Sequence, residues 1–288
     1  MLASMMPRIA FVTCLEKPAF QPSDRLAAEA LAKRGVEVSP VPWNANGSDF
    51  EGWDAIVVRS TWDYVGREAS FLAWLLSLDK RPNVYNPSRL MRWNLSKRYL
   101  ARLGWQGVPI VPTRFVAPSP TDILVGMEQL GLVEAVVKPV FGASGIGLSI
   151  VRADDPEGLL VAAAKLRSAG MVQPVLSEIG DVGETSFVFF DGIFSHAINK
   201  RPAPGAILCQ EEHGGVSVRL DPAPAAIEAA RNVLDKLPIA PLYARIDAIV
   251  DNDRFMIMEA ELIEPELFIG LAPTAADVFA DAIMARLR

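Results

Sequence analysis

YARIDAIVDNDRFMIMEAE, residues 243–261, is two apolar runs joined by Asp251-Asn252-Asp253, with charges recurring at alternate positions. A run of this kind is a β-strand, and the acidic tripeptide between the two makes a hairpin. Strand alternation puts Arg245 and Asp247 on one face of the first strand, and Glu259 and Glu261 on one face of the second. Pairing around 251–253 then brings three carboxylates together. A solvated polar face is the simpler explanation of such charges. Against it, the strands are otherwise Ile, Met, Phe and Ala, among which unpaired acids are costly to bury. A cation between the acids relieves that cost. Oxygen-only ligands with room for water and phosphate suit Mg²⁺, so Asp247, Glu259 and Glu261 are the expected metal ligands. Glu264 and Glu266, flanking Pro265, read as surface acids or as supports behind the site.

Upstream lies a glycine loop, FGASGIG at 141–147, between strands expected at 135–138 and 148–151 and just after Lys138-Pro139. Glycine lets backbone N–H groups approach phosphate oxygens without a Cβ in the way. No Gly-Lys-Ser/Thr follows and no helix begins there, so the loop is not of the P-loop kind. Lys138, on an apolar strand, needs an anion, and a nucleotide would provide one. The stretch 171–176 reads as a strand running into a linker, where Val172-Gln173-Pro174-Val175-Leu176 offers an apolar floor and backbone groups to the edge of adenine. Glu184 is placed to accept from ribose hydroxyls.

Outward from this centre, 8–13 and 53–58 read as buried strands and 36–41 as a further strand. Helices follow at 24–34, where Ser23 or Asp24 can cap, and at 71–78. This is a small open α/β domain, whose sites lie at the C-terminal strand ends, where Arg59 to Tyr64 sit. A helix is expected from 88 to 103, a Pro-punctuated junction near 105–120, and a helix over 156–169. Strands at 184–190 and 193–199 are joined by an Asp191-Gly192 turn, with another strand at 216–220 and helices at 222–236 and 275–287. The fold class is thus α/β (α+β), divided into residues 1–95 and 96–288, with a glycine-loop subdomain at about 112–175.

Composition narrows the function. The 288 residues are 51% hydrophobic and 22% charged with a net charge of −6, ordinary for a globular chain of about two domains. That charge argues against nucleic acid or an anionic membrane as partner, since phosphate contacts need clustered Lys and Arg. A homodimer is left open. Cys14 and Cys209 are expected as buried thiols, and His196 and His213 are too few for zinc. The N-terminus has no basic segment followed by a long apolar core, so a cytoplasmic protein is expected.

Lys97, Lys138-Pro139, the glycine loop, the Gln173 linker, Glu184, Lys200, Arg245-x-Asp247 and Glu259-x-Glu261 occur in the order seen in ATP-grasp carboxylate–amine ligases. The chain resembles that superfamily over about residues 7–285. Arg59-Ser-Thr-Trp-Asp-Tyr64, Arg92 to Leu100, Tyr243 to Asp247 and Met258 to Pro265 are similar to the cycloserine synthetase (O-ureidoserine cyclo-ligase) group. The resemblance implies an ATP-grasp fold with ATP and Mg as cofactors. It assigns Lys97 and Lys138 to the α- and β-phosphates, and Gly142, Ser144, Gly145 and Gly147 to a cover over them. Gln173, Val175 and Leu176 would read adenine, and Glu184 the ribose. Lys200 would meet the γ-phosphate, and Arg245 would offset charge on the transferring phosphoryl group. Two Mg²⁺ ions would rest on Asp247, Glu259 and Glu261. Arg59, Ser60, Trp62 and Tyr64 would bind a small amino-acid-like substrate, with Arg59 as carboxylate clamp.

The implied reaction is an ATP-dependent ligation that forms an amide through an acylphosphate, with cyclisation of O-ureidoserine as the narrower alternative. One departure stands out: Leu208 occupies the position of an arginine in relatives. A nucleotide-binding protein without turnover is the alternative it motivates.

Overall fold

Strands β1 (Arg8–Thr13), β2 (Glu37–Pro42), β3 (Ala55–Val58) and β4 (Val84–Tyr85) pair in parallel in the order β2-β1-β3-β4. In this computed structural model residues 6–142, 145–206, 209, 214–252 and 254–287 are described. A parallel sheet is covered on both faces, which is why Ala55–Val58 is apolar at every position and wholly buried. Helix α1 (Pro22–Ala32) packs on one face through Ala27, Ala30 and Leu31, and α2 (Glu68–Ser77) on the other through Phe71 and Leu75. Gln21, not Ser23 or Asp24, is the N-cap of α1. Both expected cap residues are buried in the first turn and turned to tertiary partners instead.

The helix expected from 88 to 103 is two helices, α3 (Ser88–Asn94) and α4 (Tyr99–Trp105). The chain breaks between them because Lys97 N–H donates to Val140 O (2.8 Å), while the Asn94 side chain bonds the backbone of Ala260 and Leu262. The break carries Lys97 out of the helical line.

The second sheet comprises β5 (Arg114–Val116), β6 (Glu134–Pro139), β7 (Ser149–Arg152) and β8 (Gly170–Pro174), antiparallel in the order β5-β8-β6-β7. Helices α5 (Pro120–Leu130) and α6 (Pro156–Lys165) cover one face over Ala135, Val137 and Val172. Alternation leaves Val136, Lys138 and Gln173 on the other face. Helix α5 was not expected in the Pro-punctuated stretch, although Ser119 caps it and Gly131 ends it in the left-handed conformation.

After a one-turn helix, α7 (Glu178–Asp181), come β9 (Glu184–Phe190), β10 (Ile193–Arg201), β11 (Val216–Leu220), α8 (Pro224–Asp235), β12 (Tyr243–Asp251) and β13 (Arg254–Glu261). The strands form an antiparallel sheet in the order β11-β10-β9-β12-β13. Asp191 and Gly192 both take positive φ (50° and 77°), as the expected two-residue turn requires. Helix α8 covers one face. The last helix, α9 (Ala275–Arg286), returns to the N-terminal sheet, where Arg34 of the α1 end pairs with Asp277 and Asp281 (2.9 and 2.8 Å). Both cysteines are free and buried. Among the described residues no helix is long and apolar enough to cross a membrane.

Candidate active site

The hairpin read from 243–261 exists, but its register contains an element that alternation alone does not supply. From the turn upward, Asp251 faces Arg254 and Ala248 faces Ile257; then the register slips, and Asp247 faces Glu259 while Arg245 faces Glu261. Met258 is the extra residue, a β-bulge. Without it Glu259 and Glu261 would lie opposite Ile246 and Ala244, on the other face of the sheet. The bulge therefore places Arg245, Asp247, Glu259 and Glu261 together. On the neighbouring strands Ser186 lies opposite Asp247, and Lys200 opposite Glu184, on that same face.

These groups form one charged network. Arg245 grips Asp247 through Nε and Nη2 (2.9 Å each), also pairs with Glu261, and donates from Nη1 to Glu266 O (3.0 Å). Lys200 bridges Glu184 (2.5 Å) and Asp247 (3.3 Å), and Ser186 Oγ donates to Asp247 (2.6 Å). Burial works to raise the Asp247 carboxyl, but Arg245, Lys200 and Ser186 outweigh it and hold it well below the usual carboxylate range. Burial pushes Glu261 up to about 8, with Asp247 and Glu259 adding repulsion against the pull of Arg245. Lys97, delivered by the break between α3 and α4, pairs with Glu259 and donates to Gly142 O (3.0 Å).

The face opens on a cavity of about 200 Å³, closed from the opposite side by the second sheet. Val136, Leu148, Pro174, Val175, Leu176, Ile179 and Met258 make an apolar end, and Gly142, Gly145 and Ile146 reach over the charged end. Lys138 points into it with no salt bridge among the described residues, and burial, reinforced by Lys97, lowers its pKa against the pull of Glu259 and Glu184. Five carboxylates (Glu184, Asp247, Glu259, Glu261, Glu264) face four cations (Lys97, Lys138, Lys200, Arg245) among the described lining residues.

Of the residues singled out from sequence, Lys97, Lys138, Gly142, Gly145, Gln173, Val175, Leu176, Glu184, Lys200, Arg245, Asp247, Glu259, Glu261 and Tyr64 line this one cavity. Gly147 does not line it; its φ of 81° and a Pro139 Cγ only 2.8 Å from where a Cβ would sit require glycine for local packing. Ser144, Leu208 and His213 lie outside the described residues. Arg59, Ser60 and Trp62 stand away from the cavity wall. Arg59 is 2% exposed, donates to Asp24 (2.8 Å) and to Pro265 O (2.9 Å), and lies by the ring of Tyr243. Ser60 is buried. Trp62 donates to Glu264 O (2.9 Å) and receives Lys17 over its ring.

The residue missed is Glu264. Expected at the surface or behind the site, it is 8% exposed and on the cavity wall, beside Tyr64, and burial pushes it up to about 7.

The chain is similar to known proteins. An N-terminal domain model described as that of D-cycloserine synthetase DcsG matches residues 9–86. The cycloserine biosynthesis protein DcsG of Streptomyces lavendulae is 32% identical over 282 residues, covering 90% of this chain and 92% of that protein. The crystal structure of D-cycloserine synthetase DcsG superposes with a TM-score of 0.86 at 27% identity, covering 98% of this chain and 100% of the other. D-alanine–D-alanine ligase of Bacillus anthracis, in complex with ATP, shares the fold at a TM-score of 0.69 and 16% identity, over 98% and 97% of the chains. The shared fold and these relationships make this chain an ATP-grasp enzyme, an ATP-dependent carboxylate–amine ligase. Within that class the chain belongs to the family of the cycloserine biosynthesis protein DcsG.

Proposed function

We propose that the cavity binds ATP with Mg²⁺ and activates a small amino-acid-like carboxylate as an acylphosphate, from which an amine displaces phosphate to give an amide. The observation that carries this is the charge inventory: four cations, one of them without a salt bridge among the described residues, meet five acids around one cavity. A triphosphate draws Lys97, Lys138 and Lys200 toward itself and leaves Glu184, Asp247 and Glu259 short of positive charge. Among the described residues no three His, Cys, Asp or Glu side chains form a ready metal site; each acid of the hairpin holds Lys or Arg instead. The donor set still fits Mg²⁺, because it is all carboxylate oxygen and the register sets Asp247 against Glu259. When bound, Mg²⁺ supplies neutralisation of the phosphate oxygens and of these acids.

In this reading Lys97 and Lys138 hold the α- and β-phosphates, Lys200 the γ-phosphate, and Glu184 the ribose. Gln173 with the backbone of Val175 and Leu176 reads the adenine. The second sheet, within about 112–175, acts as a lid carrying Gly142, Ser144 and Gly145, with Gly147 as its packing hinge. Arg245 offsets the charge that develops as the carboxylate attacks the γ-phosphorus. Tyr64 and Glu264 flank the substrate end, with Glu264 suited to an amino group. Trp62 braces that end through the Glu264 carbonyl, while Arg59 stays in its sealed pair with Asp24.

The relationship to the cycloserine biosynthesis protein supports a narrower second reading, ring closure of O-ureidoserine to cycloserine. ADP release on a panel of small amino acids with O-ureidoserine decides between them. Stimulation by ordinary amino acids favours the general ligase, and stimulation by O-ureidoserine alone favours the cyclo-ligase. Tight ATP binding with no ADP from any member would sink both and favour a binder without turnover.

A further inference from the structure

We infer that Thr113 is a positioning residue that fixes which end of the Gln173 amide meets the nucleobase, and so makes the site select a 6-amino purine over a 6-oxo purine. This rests on the reading of the cavity as an ATP site.

A primary amide is nearly symmetric in shape but opposite in polarity at its two ends, so its surroundings decide which end faces a ligand. Gln173 is 5% exposed, lines the apolar end of the cavity and sits opposite Val136 in the second sheet. Its Nε2 donates to Thr113 Oγ1 (2.8 Å). That direction is forced. The Thr113 hydroxyl has one proton and donates it to Val111 O (2.7 Å), so its oxygen can only accept from Gln173. Val111 is itself fixed: its N–H donates to Ile257 O (3.1 Å), and Ile257 N–H donates to Pro109 O (2.9 Å), tying 109–111 to the edge of β13.

The chain of bonds thus runs from the catalytic hairpin through Val111 and Thr113 to Gln173. It holds the amide nitrogen away from the base and leaves Oε1 as the group offered. An acceptor there matches the 6-amino group of adenine. A 6-oxo group would set lone pairs against lone pairs, and the amide can flip only if the Thr113 hydroxyl gives up Val111 O to donate to the Gln173 carbonyl instead.

The experiment is calorimetric titration of ATP and ITP, with Mg²⁺, into the wild type, Thr113→Val, Thr113→Ser and Gln173→Leu. The wild type is expected to prefer ATP by roughly 10- to 100-fold. Thr113→Val frees the amide to rotate, and the preference collapses toward unity, chiefly through tighter ITP binding; Thr113→Ser keeps it. Gln173→Leu, which removes the acceptor without touching Thr113, lowers the preference in the same direction. A bond that merely ties β5 to β8 would weaken both nucleotides together and leave their ratio intact in Thr113→Val, and that result overturns the inference. Wild-type binding of ATP without discrimination also overturns it while the ATP site stands. Failure of the wild type to bind either nucleotide would remove the underlying reading as well.

Discussion

Two buried arginines, Arg59 and Arg245, make opposite use of the same chemistry. Arg59 closes the C-terminal end of the parallel sheet: it meets one carboxylate, Asp24, and its guanidinium lies between the rings of Tyr243 and Phe279 (5.1 and 5.9 Å from their centroids). The pair is neutral and sealed. Arg245 stands in the antiparallel sheet against two carboxylates, Asp247 and Glu261, in a network with more acids than cations, beside a cavity. A strand-end arginine in an open α/β domain is thus not a ligand clamp by position alone. Local charge imbalance and access distinguish a site from a structural pair.

The contrast is easiest to break at Arg59. Arg59→Ala leaves Asp24 buried without a partner, a loss of about 3–5 kcal/mol in thermal or urea unfolding. Replacing both, Arg59→Met with Asp24→Leu, should restore most of that stability and leave ADP formation close to wild type. A double variant that regains stability but loses turnover would make Arg59 part of the site after all.

Lys138 should behave in the reverse way. Its ammonium is unpaired among the described residues and burial lowers its pKa, so its charge costs folding energy. Lys138→Met is expected to cut ADP formation by roughly 10²–10³-fold while the melting temperature holds or rises. A fall in melting temperature with unchanged turnover would assign it to the fold.

Glu264 sharpens the same distinction through pH. Burial, with repulsion from Glu259, lifts it from 4.5 to about 7 against Tyr64 and Lys97, so the folded state keeps a proton that the unfolded chain releases. Its contribution is full below about pH 4.5 and lost as pH rises through 7. Glu264→Gln should therefore be more stable than wild type above pH 7, by on the order of 2–3 kcal/mol, with no difference below pH 4. Parallel stability curves would contradict the burial of a charged carboxylate there.

Serine 186 gives the smallest effect. Ser186→Ala removes one hydrogen bond to the Asp247 carboxylate, which Arg245 and Lys200 still hold, and about 1.5 kcal/mol of stability should go with it.

Much of this was legible in the chain. Apolar runs gave β1, β3, β9, β10, β12 and β13, because burial on one or both faces writes itself into residue type. The acids of the hairpin stood out for the converse reason, as charges among residues that are buried. What was hidden was relational. The bulge at Met258, which brings Glu259 to Asp247, lies next to the bridge between Ile257 and Ile110 and leaves no mark in the alternation. The break that frees Lys97 depends on Val140, far along the chain. Arg59 could be placed at a strand end from sequence, but its partner Asp24 looked like a helix cap.

The charged face of the antiparallel sheet should take a triphosphate only together with a divalent cation. Calorimetric titration of ATP into the protein, with Mg²⁺ and again with a chelator, tests it most directly, with Asp247→Asn and Glu259→Gln as companions. Wild-type binding is expected to depend steeply on Mg²⁺, and in both variants to lose that dependence or be lost altogether. ATP binding of equal strength with and without Mg²⁺, unchanged by either substitution, would contradict it.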